Sequence, residues 1–343
     1  MNLDIALHKG NLDKPAIVFI HGLGMDKDIW VNPSKSRIFG GKLPLNIFLR
    51  EKPPARDFGL HRNKPKKEMP EFSTGIHQKC IETLFNDLKL KEYPVITWSQ
   101  RRPSGPIDSV VAELEEIMKQ VQKLTKAGII LIGHSRGGLI GRKYLFQKKE
   151  SFVKGLITIS SPHQGSSIAK LACYLKPLAS FISPLFSNAD KGTLSSSVKH
   201  VLDFLKSKTL KELLPKSSFL KSLRDGPLDW IYYISLGGTK PTLMSLYRWR
   251  WNSVSEEKSL RWFLNPEELF SIPEIFQKVI PDKFYPDEIS EGKGDGLVSA
   301  ESARIPWGNK HYTFSLNHAQ MLFDKDVRDL LVKNIERVNS CHT

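Results

Sequence analysis

Short apolar runs alternate with amphipathic stretches along most of this chain of 343 residues. The clearest helical pattern covers residues 107–126, where apolar side chains recur at three- and four-residue spacing until Gly128 ends the helix. A second such pattern, at 327–335, predicts a closing helix. Buried strands are predicted at 16–20, 94–98, 128–132, 153–159, 230–236 and 311–315. Strands separated by helices predict an α/β fold, with a mostly parallel central sheet and helices on both faces.

Residues 167–225 interrupt this alternation with short apolar pieces separated by Pro177, Pro184 and Pro215. This pattern is typical of a helical lid or cap over an apolar pocket, and short helices packed on the sheet would give the same pattern. A further stretch, 32–71, is rich in Pro, Lys and Arg, and its pattern indicates no role. Because the chemical motifs span nearly the whole chain, we expect one catalytic domain, 1–343, with the lid at 167–225 inserted in it.

Aromatic and basic residues interleave within residues 240–290, in Tyr247-Arg248-Trp249-Arg250-Trp251 and again in Arg261-Trp262-Phe263-Leu264. Arginine stems and indole rings cover apolar surface well, so the favoured interpretation is a set of small clusters near the core. Binding at a membrane interface is the alternative. Nucleic-acid binding is not expected.

The chain has 51 Lys and Arg against 36 Asp and Glu, a formal net charge of +15. Because the lysines are spread along the chain, their field favours anionic partners such as phospholipid surfaces, or serves solubility alone. No apolar run is long enough to span a bilayer, and the first residues lack a secretion-signal pattern. Cys80, Cys173 and Cys341 fit neither a disulfide framework nor a metal site. We therefore expect a cytoplasmic protein, with peripheral attachment to a membrane or lipid-droplet surface left open.

Residues Gly133-His134-Ser135-Arg136-Gly137 follow directly after the apolar run at 128–132. This G-x-S-x-G spacing is typical of a nucleophile elbow, a sharp turn between strand and helix that exposes a serine hydroxyl. The turn brings the chain before and after the serine so close together that only glycine fits at 133 and 137. We predict that Ser135 is a catalytic nucleophile; an ordinary glycine-rich turn is the alternative.

A serine hydroxyl is a poor nucleophile at neutral pH and needs a base, which a carboxylate orients. Asp295 lies between two glycines, and His318 follows a strand-like run. His318 would take the serine proton, and Asp295 would hold the imidazole in the required tautomer. An ordinary surface histidine is the alternative for His318, and Asp287, Glu288 and Glu291 are alternatives for the acid.

Acyl transfer also requires two backbone N–H groups aimed at the oxygen on which negative charge develops. One would belong to Arg136, the residue after the nucleophile. The second would come from the loop His21-Gly22-Leu23-Gly24, which follows an early strand and in which Leu23 is the best candidate.

These motifs, together with Ser160-Ser161-Pro162-His163-Gln164-Gly165-Ser166, resemble those of α/β-hydrolase lipases, particularly bacterial triacylglycerol lipases and their esterase relatives. The five motifs run in order from residue 21 to residue 318. The resemblance implies the α/β-hydrolase fold and a Ser135–Asp295–His318 triad, with Leu23 and Arg136 as oxyanion donors. It also implies hydrolysis of carboxylic esters, especially of lipids, through an acyl-enzyme and without a cofactor.

One position departs from that pattern. Several of those lipases have a calcium-binding aspartate two residues after the histidine, where this chain has Gln320. A neutral amide is a weaker ligand for a hard cation, so we expect no calcium site there and no other metal.

The same triad also serves thioesterases, acyltransferases and lipid deacylases, which stay open as alternatives. A non-catalytic ligand-binding member of the fold is a further alternative, although such members usually lose a triad residue. The sequence predicts neither the acyl chain length and head group of the substrate nor the oligomeric state.

Overall fold

A seven-stranded sheet lies at the centre of the protein. The computed structural model describes residues 3–38, 43–66, 71–76, 81–168, 208–223, 226–256, 259–272, 280–281 and 285–340. The strands of the sheet are β1 (Asp4–His8), β2 (Ala16–Ile20), β7 (Val95–Ser99), β8 (Ile129–His134), β9 (Val153–Ile159), β10 (Tyr232–Gly238) and β13 (Lys310–Phe314). Their order is β1-β7-β2-β8-β9-β10-β13. β1 runs antiparallel to β7, and the other neighbours are parallel.

The pattern predicted six of these strands and missed β1. β1 is an edge strand whose side chains are exposed or half-buried, so it has no continuous apolar run. It lies in the sheet because its backbone pairs with β7 from Asp4↔Ser99 to His8↔Val95.

Helices cover both faces of the sheet, as predicted. They are α1 (Asp28–Val31), α2 (Leu84–Leu90), α3 (Ile107–Val121), α4 (Arg136–Lys148), α5 (Lys208–Glu212), α6 (Ser218–Ser222) and α7 (Lys325–Ser340). Short 3-10 helices lie at Leu45–Leu49, Asp287–Ile289 and Gln320–Leu322. Helices α3 to α6 pack on one face, and α1, α2 and α7 pack on the other.

Strand β2 shows how the two cores share one sheet. All five of its residues are buried, and alternate side chains point to opposite faces. Val18 and Ile20 join the cluster under α3 and α4, whereas Ile17 and Phe19 join the cluster under α1, α2 and α7. Burying one such side chain contributes about 2 kcal/mol, which fixes β2 at the centre of the fold.

Helix α3 ends five residues earlier than its apolar pattern predicts. The bonds Lys123 N to Gln120 O (3.2 Å) and Leu124 N to Val121 O (2.8 Å) join residues three apart, so the chain tightens out of the α-helix. Thr125 Oγ1 then donates to Lys14 O at 2.7 Å and ties this turn to the start of β2.

A second sheet of four strands, here called the outer sheet, is separate from the central sheet. Its strands are β5 (Arg56–His61), β6 (Phe72–Ser73), β11 (Met244–Glu256) and β12 (Ser259–Ile272), in the order β5-β12-β11-β6. Strands β11 and β12 form one long antiparallel hairpin. Among the described residues, none of this sheet belongs to either cluster of the central sheet. Tyr247 and Leu264 of this hairpin are buried, and the Trp251 ring packs against those of Phe58 and Trp262, so these side chains form small clusters of their own. A two-stranded pair, β3 (Arg37–Ile38) and β4 (Leu43–Pro44), completes the strands described.

The predicted lid falls largely on residues 169–207, which lie outside the described part of the chain, as do all three cysteines. Within 208–223, Leu210 of α5, Leu213 just after it and Phe219 of α6 are buried in the core under α3 and α4. Of the helices described, none is both long and apolar enough to cross a bilayer.

Candidate active site

Ser135 occupies a strained turn between β8 and α4. β8 ends at His134 and α4 begins at Arg136, so a single residue makes the turn. Ser135 has φ +54° and ψ −126°, a backbone conformation that is unfavourable for any residue other than glycine. Hydrogen bonds from Ser135 N to Ile159 O (2.8 Å) and from Gly138 N to Ser135 O (3.1 Å) hold the turn in place.

The two glycines of the motif are needed for the reason that the sequence predicts. A Cβ on Gly133 would lie 2.4 Å from Gly138 N, and one on Gly137 would lie 2.2 Å from Ile20 O. Both distances are far below van der Waals contact with backbone atoms that cannot move aside. The turn is therefore closed to every other residue at these two positions.

Asp295 and His318 form a buried pair beside this turn. His318 Nδ1 lies 2.9 Å from Asp295 Oδ2, and their side chains are 4% and 1% exposed, respectively. Asp295 Oδ1 accepts hydrogen bonds from Leu297 N (3.0 Å) and Val298 N (2.8 Å), and His318 N donates to Asp295 O at 2.9 Å. With its Nδ1–H directed at the carboxylate, the imidazole has Nε2 free to act as a base.

The other carboxylates considered for the acid have different partners. Asp287 binds Lys293 Nζ at 3.1 Å, and Glu288 accepts from Ser167 N at 2.5 Å. Gly238, at the end of β10, explains how Asp295 reaches its place, since a Cβ there would lie 2.8 Å from Asp295 Cβ. Gly238 could not be identified from the sequence, because its role depends on a contact between distant segments.

Three segments converge on the serine turn. The rings of His134 and His318 are 4.7 Å apart, and His134 Nε2 lies 3.2 Å from His318 O. Gly22 lies on the other side, where an added Cβ would be 3.0 Å from Ser135 Cβ and 3.4 Å from His134 Nδ1. Burial lowers the pKa of His134 well below its usual range, so this ring is neutral and donates its Nε2 proton to the His318 carbonyl. The chain brings Ser135, His318 and the loop of Gly22 to one edge of the central sheet.

A buried network holds the loop that contains Leu23. The Arg136 side chain, fully buried, donates to Gly105 O at 2.6 Å and to Gln100 Oε1 at 2.7 Å. Gln100 Nε2 donates to His21 O at 3.0 Å, and Gln100 N donates to His21 Nε2 at 3.2 Å. Gly24 N also donates to Pro103 O at 2.8 Å.

The motif predicted a role only for the backbone N–H of Arg136, and nothing in the sequence pattern indicated this network or Gln100. Burial lowers the pKa of Arg136 to about 10, so the guanidinium stays charged at neutral pH. A charged, hydrogen-bonded side chain therefore spans from the helix after the elbow to the segment that positions the Leu23 loop.

His163, in the Ser-Pro-His-Gln-Gly-Ser motif, is structural in its contacts. Arg142 Nη1 donates to His163 Nδ1 at 3.1 Å, and His163 Nε2 lies 2.9 Å from Thr158 Oγ1. Burial, and then the charge of Arg142, lower the pKa of His163 well below the usual range, so the ring is neutral.

Gln320 Oε1 accepts from Asn317 N at 3.2 Å, within the same loop as His318. Among the described residues, no group of three or more His, Cys, Asp or Glu could hold a metal.

Comparisons with known proteins agree with this architecture. The sequence matches the palmitoyl protein thioesterase family over residues 59–225, just under half of the chain. No curated protein matches it. The structure is similar to the mature form of the Bacillus licheniformis lipase BlEst2, with a TM-score of 0.50 and 17% identity over 95% of this chain and 94% of that one. The propeptide form of BlEst2 gives the same TM-score of 0.50 at 15% identity, over 96% of this chain and 53% of that one. The protein has the α/β-hydrolase fold, and the resemblance to bacterial lipases and esterases that its motifs predicted is confirmed.

Proposed function

We propose that the protein is a serine hydrolase that cleaves carboxylic esters of lipids through an acyl-enzyme. The observation that carries the proposal is the buried Asp295–His318 pair beside the strained turn of Ser135. A buried carboxylate that fixes an imidazole tautomer next to a serine held at positive φ is the arrangement that activates a serine.

In the proposed first step, His318 Nε2 takes the proton from Ser135 Oγ as that oxygen attacks the ester carbonyl carbon. The N–H groups of Leu23 and Arg136 stabilise the resulting oxyanion. As the carbonyl re-forms, the bond to the alcohol oxygen breaks, and the imidazolium returns its proton to that oxygen. Water then attacks the acyl-enzyme with His318 as base, which releases the acid and regenerates Ser135.

Thioester hydrolysis is a second candidate, favoured by the match to the palmitoyl protein thioesterase family over residues 59–225. The matched segment includes Ser135 and Arg136, but it ends before Asp295 and His318. A thiolate is a better leaving group than an alkoxide and depends less on protonation by His318. Comparison of kcat/KM for an oxoester and a thioester with the same acyl chain and a closely matched leaving group would rank the two candidates.

The proposal is tested by labelling the purified protein with a fluorophosphonate, which reacts only with an activated serine. We expect one adduct, located at Ser135 by mass spectrometry, and its loss in Ser135→Ala. Hydrolysis of p-nitrophenyl butyrate should fall by about 10⁴-fold or more in the same variant. Parental hydrolysis by Ser135→Ala, with its circular dichroism unchanged, would overturn the proposal.

A further inference from the structure

The outer sheet begins at the rim of the candidate active site. Asn317 Nδ2, from the residue before the histidine, donates to Thr242 O at 2.8 Å, two residues before β11 starts. Gly296, which follows Asp295, packs so closely on the same segment that a Cβ would lie 2.6 Å from Pro241 O. The base of the hairpin is therefore fixed to both the loop of the acid and the loop of the histidine.

From this base the hairpin runs through strands β11 and β12, which contain 13 and 14 residues. At strand geometry this corresponds to about 40 Å. Its far end, defined here as residues 60–66 and 252–255, exposes two aliphatic side chains, Leu60 and Val254, each 54% exposed. The cations Arg62, Lys64 and Lys66 of the same end are also exposed. Leu60 and Val254 both pair with Arg261 of β12, so the two aliphatic side chains and this further cation share one face of the sheet.

Aromatic rings line the sheet directly behind this end. Phe58 and Trp251 are 4.8 Å apart, Trp251 and Trp262 are 6.3 Å apart, and Lys64 Nζ lies 5.5 Å from the centre of the Trp251 ring. Tryptophan is enriched where a protein meets the head groups of a bilayer, because its ring is apolar and its N–H is polar. Lysine and arginine at such sites extend their charge to phosphates while their stems stay in the apolar layer.

We propose that the far end of the outer sheet docks onto an anionic phospholipid surface. The side chains of Leu60 and Val254 enter the head-group layer, and the cations of the far end contact lipid phosphates. The neighbouring aromatic rings lie at the interface. The net charge of +15 strengthens the attraction to such a surface. The two exposed aliphatic side chains favour lipid over nucleic acid, because phosphate contacts in a nucleic acid would leave them in water. Docking is independent of the proposed hydrolysis, since binding can be measured without turnover.

The test is co-sedimentation of the purified protein with vesicles of phosphatidylcholine alone and vesicles with about one third phosphatidylglycerol. We expect binding to the anionic vesicles, weakened by salt, and little to the neutral ones. Leu60→Asp with Val254→Asp, which adds two negative charges, should lower the affinity by about a hundredfold, and Arg62→Gln with Lys66→Gln by about tenfold.

Matched controls separate this site from general charge and hydrophobicity. Leu90→Asp changes a leucine on α2 that is 84% exposed, and Lys123→Gln with Lys126→Gln removes two exposed cations after α3. Both controls should bind the vesicles nearly as the parent does. All variants should keep the parental circular dichroism spectrum and melting temperature, which shows that they are folded whether or not the protein hydrolyses esters.

Equal loss of binding in control and far-end variants would overturn the proposal, as would failure to bind anionic vesicles. Binding to duplex DNA that the far-end variants abolish, without binding to vesicles, would assign the surface to nucleic acid instead and would also overturn it.

Discussion

Two pairs in which a carboxylate accepts a hydrogen bond lie in opposite environments of this molecule. Asp295 and His318 meet at 2.9 Å beside the serine turn, with both side chains almost fully buried. Asp57 and Arg261 meet at 2.6 Å on the outer sheet, with both side chains more than 40% exposed. Water solvates and screens the outer pair, so breaking the contact between Asp57 and Arg261 should change the stability of the protein little. Water cannot replace either partner of the inner pair, so loss of one leaves the other buried without a hydrogen-bond partner. Burial, more than bond length, therefore determines what each pair contributes.

The largest expected effect tests this contrast directly. Asp295→Asn preserves the shape of the side chain but removes the charge that fixes the His318 tautomer. We expect kcat/KM for a p-nitrophenyl ester to fall by about 10⁴-fold with little change in structure.

Its matched control is Asp57→Asn on the outer sheet, which should leave both activity and melting temperature within experimental error. Comparable activity in the two variants would contradict the role assigned to Asp295, and loss of folding in Asp57→Asn would contradict the contrast itself.

A pair of glycines gives the next largest difference, this time in stability. A Cβ on Gly137 would lie 2.2 Å from Ile20 O in the central strand, whereas Gly59, on the outer sheet, has φ +76° and open space around it. We expect Gly137→Ala to lower the free energy of unfolding by about 4 kcal/mol or to prevent folding. Gly59→Ala should lower it by about 1 kcal/mol, from backbone strain alone. Urea denaturation measures both, and equal losses would show that packing at the elbow is looser than its geometry indicates.

The same contrast explains what could be predicted from the sequence. The central strands are buried on both faces, so their apolar runs identified β2 and β9 with the observed bounds. The elbow could be predicted because Gly133 and Gly137 are local requirements of one turn. Gln100 and Gly238 could not, because each acts through a contact with a segment far away in sequence. The outer sheet could not be predicted, because its interleaved aromatic and basic residues do not show the regular alternation of apolar and polar positions that is typical of a strand.

Buried histidines make the inner region sensitive to acid. Burial lowers the pKa of His21 from 6.5 to about 4, so between these values the unfolded chain binds a proton that the folded chain does not. Stability therefore falls as the pH decreases through this interval, by about 3 kcal/mol for His21. Urea midpoints between about pH 7 and about pH 4.5 measure the slope.

The variant His21→Gln should flatten this profile, because it removes the group that titrates. The control is His61→Gln, an exposed position of the outer sheet, which should keep the parental slope. A parental slope in His21→Gln would show that other groups, such as His134 and His163, dominate the acid sensitivity.

The smallest effect concerns the loop that carries the second proposed oxyanion donor. Gln100 connects the Arg136 guanidinium to His21 O, so Gln100→Leu should release the loop without removing any group that touches substrate. A misplaced N–H donor stabilises the oxyanion less well but has little effect on binding of the ester. We therefore expect kcat to fall by about tenfold with KM nearly unchanged.

Asn334→Leu is the matched control, since Asn334 is 4% exposed like Gln100 but lies in α7 and donates to Leu330 O. Both changes leave a buried polar group without its partner, so both should lower stability by a similar amount. Only the change at Gln100 should lower kcat, and an equal fall in both would mean that lost stability, not the position of Leu23, limits turnover.

The more conservative Gln100→Glu retains an acceptor for Arg136 but loses the donor to His21 O. Partial recovery of kcat in that variant would assign the effect to the Arg136 contact, and no recovery would assign it to the bond with the loop.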